Sequence, residues 1–241
     1  MTLSSPTPTG ILLRSIPLSR TTRDAWRSNG IHIVKRSRDS NRDVRATIGR
    51  VDGRFVINSG SLSHDWAGYP VPVFNTRDSI RAISHPLALR RTLPDFIPPV
   101  SMDGYAHWHK DGGWGGKNKT YHEEGDGGCR FFKGDRQTHI DGTEYRVLTV
   151  GDTIVQASLK ELTHGVGNFI WHWCGVRGIR DLGIIPLVKE AVQNIPNWNW
   201  TMFGWDVIVD SNRPYVIEIN TSPGVNSSTA KRIIQQIERM I

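Results

Sequence analysis

Apolar and polar residues alternate most regularly in the C-terminal part of the chain, from residue 144 onward. Two alternating stretches flank Gly151-Asp152, which is the reverse of the Asp-Gly sequence common in two-residue hairpin turns. They predict strands at Glu144–Val150 and Thr153–Leu159. A second alternating pair predicts strands at Phe203–Val209 and Tyr215–Ile219, joined by a short polar turn. These stretches predict antiparallel β-structure.

Apolar residues at helical spacing predict amphipathic helices at Ile184–Asn194 and Thr229–Ile241. A further helix is predicted over Arg77–Leu93, where Pro86 is expected to divide it because proline removes an interior hydrogen bond. Shorter patterns nearer the N-terminus predict a helix and two strands, at Arg20–Asn29, Ile31–Lys35 and Phe55–Ile57. The mixture of helices and antiparallel strands predicts an α+β fold.

The chain has 241 residues, of which 37% are hydrophobic and 22% charged, as expected for one large folded domain or two small ones. No apolar run approaches the roughly 18–20 residues of a membrane span. Residues 1–10 lack the pattern of a secretory signal, and two cysteines do not make a disulfide framework. We therefore expect a cytoplasmic protein without a membrane partner.

The formal net charge of +7 is concentrated in one segment, Arg14–Arg54, which holds eleven basic and four acidic residues. Such a segment is suited to nucleic acid or to an acidic partner. It is equally typical of a solvated polar surface, so the sequence leaves both interpretations open.

Three oxygen-bearing side chains are expected to meet on the C-terminal strand pair. Glu218 and Asn220 lie two positions apart on one strand and therefore share a face, and the hairpin places Asp206 opposite them. Carboxylate and amide oxygens suit Mg²⁺, which commonly shares its coordination shell with phosphate oxygens. The alternative is that Asp206 and Glu218 are solvent-facing strand residues.

Two further features suggest anion binding. The segment from His109 to Lys117 includes four glycines, whose backbone amides approach phosphate closely, although such loops are more often flexible surface turns. Arg146 lies on a predicted strand with Lys160 at the end of the next, and a guanidinium contacts phosphate or carboxylate through two bonds. The alternative for Arg146 is an ion pair with Glu144 or Glu161.

Tryptophans at Trp171-His172-Trp173 and Trp198-Asn199-Trp200 alternate as they would along a strand. Either pair is suited to stacking on bases or sugars, although alternating aromatic residues on a strand are more often packing residues.

The order of these motifs resembles the ATP-grasp superfamily. A lysine-plus-glycine loop is followed by Glu-Tyr-Arg-Val at 144–147, Gly-Trp-Asp-Val at 204–207 and Glu-Ile-Asn-Thr-Ser-Pro-Gly at 218–224. The resemblance is to the branch of ribosomal-protein glutamate ligases and tubulin–tyrosine ligase, particularly small phage-encoded members. It implies two α+β subdomains that clasp ATP, preceded by a small α/β N-terminal domain. The implied ranges are 1–76 for the N-terminal domain, 77–134 for the small subdomain with its flap and 135–241 for the C-terminal subdomain.

The same resemblance implies roles for individual residues. Asp206, Glu218 and Asn220 would bind Mg²⁺ or Mn²⁺, while Arg146 and Lys160 would stabilise the transferred phosphate. The remaining contacts to ATP would come from a scattered set: Lys110, the flap glycines Gly112, Gly113, Gly115 and Gly116, Phe132, Lys133 and Asn168.

The implied activity is an ATP- and Mg²⁺-dependent ligase that joins a carboxylate to an amine, on an amino acid or peptide, through an acyl phosphate. One departure is His85-Pro86, where the family commonly has Asn-Lys at the start of a helix. That departure keeps two alternatives open: a nucleotide-binding protein with reduced catalysis that binds nucleic acid or an acidic partner, and a kinase on the same scaffold. A phage-encoded protein would act in its host's cytoplasm.

Overall fold

The structure is a computed structural model that describes nine segments of the chain. These are residues 10–14, 18–35, 40–62, 69–100, 107–110, 119–122, 135–162, 169–211 and 213–241.

The N-terminal segments form a four-stranded parallel sheet with strand order β2-β1-β3-β4. Its elements are β1 (Gly10–Arg14), α1 (Arg20–Arg27), β2 (Ile31–Lys35), α2 (Ser40–Val51), β3 (Val56–Ser59) and β4 (Val73–Phe74). Leu12 and Ile57 pack with the α1 side, whereas Ile11, Leu13 and Val56 pack against α2. Because both faces are covered, β1 and β3 are apolar at consecutive positions rather than alternating.

Two short helices follow the parallel sheet, α3 (Arg77–Ile83) and α4 (Pro86–Thr92). Pro86 divides the predicted helix as expected and occupies the first turn of α4, where a missing N–H costs nothing. His85 caps that turn, since its Nδ1 accepts a hydrogen bond of 3.2 Å from the backbone N–H of Leu87. The His85-Pro86 pair therefore begins a helix.

A small antiparallel sheet comes next, with strand order β6-β5-β7. Its strands are β5 (His107–Lys110), β6 (Lys119–His122) and β7 (Asp135–Thr138). The boundary implied at residue 134 precedes β7, which pairs with β5 in this sheet. The three domain ranges stay predictions.

The C-terminal segments form a five-stranded antiparallel sheet with strand order β10-β9-β8-β11-β12. Its strands are β8 (Thr143–Val150), β9 (Thr153–Leu162), β10 (Phe169–Trp173), β11 (Met202–Asp210) and β12 (Arg213–Asn220). Two longer helices accompany it, α5 (Ile184–Gln193) and α6 (Ser227–Met240). Both predicted hairpins and both predicted helices are confirmed.

The two faces of this sheet differ in what covers them. One face, including Val147 and Trp205, packs in a continuous core with α5. The other face packs against α6 through Leu148, Val150 and Met202. Its remaining part, nearer the β8–β9 strand ends at Thr143 and Leu162, carries charged side chains.

Short 3-10 helices span Val176–Leu182 and Trp198–Trp200. The strand expected at Trp198-Asn199-Trp200 is therefore wrong, because the turn folds Trp200 onto the core, where its ring meets Phe74 edge-on at 5.4 Å. Among the described helices, none combines the length and apolar character needed to cross a membrane.

Candidate functional site

A row of side chains crosses the five-stranded sheet from β12 to its opposite edge. Glu218 on β12 lies opposite Asp206 on β11, which in turn lies opposite Arg146 on β8. Arg146 lies opposite Ser158 on β9, and Ser158 lies opposite Trp173 on β10. Residues directly opposite each other in an antiparallel sheet point to the same face. The row therefore joins the predicted metal ligands to the predicted cation on one surface.

Arg146 holds Asp206 through two hydrogen bonds. Its Nε and Nη2 donate to the two carboxylate oxygens of Asp206 at 2.7 Å each. Asp206 is only 5% exposed, so the interpretation of this residue as a solvent-facing strand position is wrong. Burial acts to lower the pKa of Arg146, but the hydrogen bonds and charge of Asp206, with Glu218 and Glu144 nearby, raise it on balance. Arg146 is therefore a permanent cation.

The two glutamates that the sequence offered as partners of Arg146 pair elsewhere. Glu144 accepts a short hydrogen bond from the ammonium of Lys160, because the two residues come directly before and after the paired residues Tyr145 and Leu159. Glu161 lies 2.7 Å from the ring of His172. The alternative in which Glu144 or Glu161 forms the ion pair with Arg146 is thus wrong: Asp206, 60 positions away, takes that place.

Trp171 covers both predicted cations. The guanidinium carbon of Arg146 lies 4.5 Å from the centre of the Trp171 ring, and the Lys160 ammonium lies 5.9 Å from it. A cation over an aromatic face is stabilised by the negative potential of the ring. Trp171 therefore restricts the side-chain orientations of Arg146 and Lys160. It does this both by packing against them and by attracting their positive charges.

Gly204 makes room for the turn that follows the ligand strand. Gly204 lies opposite Asn220, and a Cβ added there would lie 2.8 Å from Cβ of Pro223 and 3.2 Å from Leu148. Only glycine lets Pro223 pack this close to β11, which fixes the course of the chain immediately after Asn220. The Gly-Trp-Asp and Ser-Pro-Gly motifs thus pack against each other, through Gly204 and Pro223.

The donors present suit a hard divalent cation. Asp206 and Glu218 supply carboxylate oxygens, and Asn220 Nδ2 donates to Asp206 Oδ2 at 3.4 Å. The Oδ1 of Asn220 accepts no hydrogen bond from any described residue, so it remains available as a ligand. Within the described segments, no three His, Cys, Asp or Glu side chains gather into a metal-binding group, and this candidate set uses two carboxylates and an amide. All-oxygen donors of this kind fit Mg²⁺ rather than a softer metal.

The structure brings five of the predicted site residues together and, of the others, describes only Lys110. Asp206, Glu218, Asn220, Arg146 and Lys160 share one sheet face. Lys110 ends β5 in the small sheet. The remaining predicted residues lie outside the described residues: Gly112, Gly113, Gly115, Gly116, Phe132, Lys133 and Asn168.

Three residues of this surface are not identified as site residues by the sequence motifs. The sequence indicates Trp171 only as a stacking or packing residue and Glu144 only as a candidate partner of Arg146. Ser158 belongs to no motif, yet it lies in the row beside Arg146, where its Oγ accepts a hydrogen bond of 3.0 Å from Nε2 of Gln156. Strand register identifies two of them, because Trp171 lies opposite Lys160 and Ser158 lies opposite Arg146, while Glu144 is identified by its hydrogen bond with Lys160.

No protein-family model and no curated protein sequence matches the chain. Solved structures do match. The D-alanine–D-alanine ligase from Bacillus anthracis complexed with ATP is 12% identical with a TM-score of 0.62, and the match covers 96% of this chain and 98% of that one. The ATP-grasp ligase PsnB complexed with a minimal precursor is 13% identical with a TM-score of 0.62, covering 95% and 99%. A RimK-domain ATP-grasp protein from Sphaerobacter thermophilus is 15% identical with a TM-score of 0.60, covering 94% and 98%.

These likenesses show the fold. The chain has the ATP-grasp fold, and the predicted α+β class is confirmed. At 12–15% identity the comparisons do not select one branch of the superfamily, so the resemblance to the glutamate and tyrosine ligases and to phage proteins stays a prediction.

Proposed function

We propose that this protein is an ATP- and Mg²⁺-dependent ligase that joins a carboxylate to an amine. The observation that carries the proposal is the row Glu218–Asp206–Arg146, which puts two candidate metal ligands and a permanent cation side by side on an ATP-grasp sheet. Among the structural neighbours, one ligase is complexed with ATP, and PsnB is complexed with a minimal precursor, Mg and ADP or with a precursor peptide and AMPPNP. Amino acids and peptides are accordingly the substrate classes we favour.

Asp206, Glu218 and Asn220 are the residues that would hold Mg²⁺, with Mn²⁺ as a substitute of similar preference. The ion would neutralise the negative charge of the ATP phosphates during transfer. The protein's own contribution is to hold these oxygens on adjacent strands, so that little reorganisation is needed when the nucleotide binds.

Arg146 and Lys160 would contact the transferred phosphoryl group. Both are held by a carboxylate and covered by Trp171, so their charges are fixed in place before substrate binds. Preorganised cations of this kind stabilise charge that develops in the transition state. The remaining ATP contacts are proposed for Lys110, the flap glycines Gly112, Gly113, Gly115 and Gly116, and the group Phe132, Lys133 and Asn168.

The proposed reaction has two steps and needs no nucleophilic side chain. An oxygen of the substrate carboxylate attacks the γ-phosphorus of ATP, the bond to the β-phosphate oxygen breaks, and ADP leaves with the electron pair. The amine of the second substrate then attacks the carbonyl carbon of the acyl phosphate. Inorganic phosphate departs and the amine loses a proton to solvent. Positioning and charge stabilisation account for the catalysis.

One observation favours a second candidate, a nucleotide-binding protein with reduced catalysis that binds nucleic acid or an acidic partner. The family's usual lysine is replaced at His85-Pro86, where the side chain of His85 is used to cap α4. A chain that lacks that cation would bind ATP phosphates through fewer contacts. Slow or absent turnover with retained nucleotide binding would favour this candidate.

The test is ATP turnover in the presence of pools of amino acids and peptides, with hydroxylamine added to trap an activated carboxylate as a hydroxamate. A ligase is expected to release phosphate and yield hydroxamate, whereas a kinase leaves a phosphorylated acceptor. Glu218→Gln is expected to abolish Mg²⁺-dependent turnover, and Glu190→Gln, an exposed position on α5, serves as the matched control. Full turnover by Glu218→Gln would overturn the assignment of the site.

A further inference from the structure

A buried asparagine connects the N-terminal sheet to the strands that carry the candidate metal ligands. Asn75 directly follows β4 and is fully buried. Its backbone N–H donates to the carbonyl of Trp200 at 2.8 Å, and its Oδ1 accepts from the backbone N–H of Met202 at 2.6 Å. Its Nδ2 is shared among the carbonyls of Met202 at 3.0 Å, Asn58 at 3.1 Å and Thr221 at 3.5 Å.

The partners of Asn75 lie next to the site on both strands of the ligand hairpin. Met202 begins β11, the strand that carries Asp206, and Thr221 immediately follows Asn220 at the end of β12. The last paired residues of that hairpin are Gly204 and Asn220. Beyond this pair, Asn75 supplies the hydrogen bonds that hold the two strand ends together.

Asn75 is itself held by a second buried asparagine. Asn58 lies on β3, and its Nδ2 donates to the carbonyl of Asn75 at 3.1 Å and to that of Ser61 at 2.8 Å. Its Oδ1 accepts from the backbone N–H of Ser61 at 2.9 Å. Asn58, Ser61 and Asn75 are all fully buried, so these bonds are protected from competition with water.

The chemistry of this position requires an amide. Asn75 has a left-handed backbone with φ of 61°, which asparagine tolerates better than most residues. Its side chain must accept one hydrogen bond and donate several, and only an amide of this length does both. An aspartate would present a second acceptor to carbonyl oxygens, and a glycine would keep the backbone but lose every side-chain bond.

We propose that Asn75 is a positioning residue for the metal site, acting through Thr221 and Met202 on Asn220 and Asp206. This inference rests on the proposed function, because it assigns Asn75 to the same Mg²⁺ site. The parallel N-terminal sheet thereby fixes where the ligand strands end. It does so through hydrogen bonds, because Asn58 holds Asn75 and Asn75 holds Met202 and Thr221.

The experiment titrates Mg²⁺ calorimetrically into the full chain in the presence of ADP, with circular dichroism to confirm folding. Asn75→Gly and Asn75→Asp are expected to weaken Mg²⁺ affinity by on the order of tenfold or more, as is usual when a partner that orients a metal ligand is lost. Ser211→Gly is the matched control, since Ser211 has a left-handed backbone at the opposite end of the same hairpin. Wild-type affinity in both folded Asn75 variants would overturn the inference.

A double-mutant cycle separates positioning from general stabilisation. If Asn75 acts through Asn220, then Asn75→Gly in an Asn220→Ala background should cause little further loss of Mg²⁺ affinity. Losses that simply add would show that Asn75 has no specific link to the ligand.

A measurement on the unaltered protein covers the case in which Asn75 variants do not fold. Because coupling is reciprocal, binding of Mg²⁺ with ADP should slow hydrogen exchange at the amide of Met202, which Asn75 Oδ1 holds. Unchanged exchange at Met202 in protein that binds Mg²⁺ and ADP contradicts the role of Asn75. Wild-type protein that binds neither contradicts the proposed function itself.

Discussion

Arg146 and Asp206 meet through two parallel hydrogen bonds of 2.7 Å across neighbouring strands, in a part of the sheet that is largely closed to solvent. This geometry places a guanidinium in direct contact with the carboxylate that is the most buried of the candidate ligands. Any group bound by Asp206 would therefore lie within reach of Arg146. The pair links the metal part of the site to its phosphate part.

The first prediction concerns the stability of this pair. Asp206→Asn leaves the partly buried guanidinium of Arg146 without its counter-charge and is expected to lower the free energy of unfolding by about 3 kcal/mol. Arg146→Met combined with Asp206→Asn should cost less than the sum of the single changes, with a coupling energy of about 2 kcal/mol. Urea unfolding of the four proteins measures this coupling. A coupling energy near zero would mean that the pair does not persist in solution.

The local parts of the fold could be predicted from the sequence. Alternation around Gly151-Asp152 identified β8 and β9, and helical spacing identified α5 and α6, because these patterns report on nearby residues. The common face of Glu218 and Asn220 followed from their separation of two within one strand. The periodicity of apolar residues within one helix or strand is sufficient to predict each of these features.

The pairing of distant strands could not be predicted in the same way. Arg146 and Asp206 are 60 positions apart, and their contact depends on β8 lying beside β11. Nearness in sequence suggests Glu144 or Glu161 as the partner of Arg146, but Glu144 pairs with Lys160 and Glu161 with His172. The hydrogen bonds of Asn75 join it to Met202, which is 127 positions away, and no periodic pattern in the sequence indicates that contact.

The second prediction tests Trp171 as the residue that holds the two cations. Removing its ring in Trp171→Ala frees Arg146 and Lys160 to adopt other rotamers, so kcat for ATP-dependent turnover should fall by about tenfold to a hundredfold. Trp171→Phe retains an aromatic face and should keep most of the activity. Ile170→Ala is the matched control, since Ile170 is half exposed on the same strand and points to the opposite face from Trp171. Equal activity in the Ala and Phe variants of Trp171 would argue against this role.

The third prediction concerns the packing of the turn after β12. Gly204→Ala forces a methyl group to within 2.8 Å of Pro223, so we expect a loss of about 1–3 kcal/mol in the free energy of unfolding. Gly224→Ala is the control, because an added Cβ there has nothing within 4 Å. Thermal denaturation compares the two variants with the parent protein. A destabilisation of equal size in both would contradict the proposed contact between Gly204 and Pro223.

The fourth prediction is a pH dependence of stability that arises in the N-terminal sheet. Burial, followed by the charges of Arg50 and Arg27, lowers the pKa of His32 on β2 below its ordinary value. The unfolded chain therefore takes up a proton at His32 more readily than the folded protein does. The contribution of His32 to the free energy of unfolding is fully present above the ordinary histidine pKa of about 6.5. It is lost as the pH falls from there through the lowered pKa of the folded protein.

Unfolding free energies between about pH 7.5 and pH 5.5 measure this contribution, in a window chosen to lie above most carboxyl titrations. His32→Gln is expected to flatten the curve, because it removes the group whose protonation differs between the folded and unfolded states. Arg50→Gln should flatten it partly by letting the pKa of His32 rise toward its ordinary value. Arg180→Gln, on the 3-10 helix after β10, should leave the slope unchanged. Should Arg50→Gln and Arg180→Gln give the same slope, the charge of Arg50 does not act on His32.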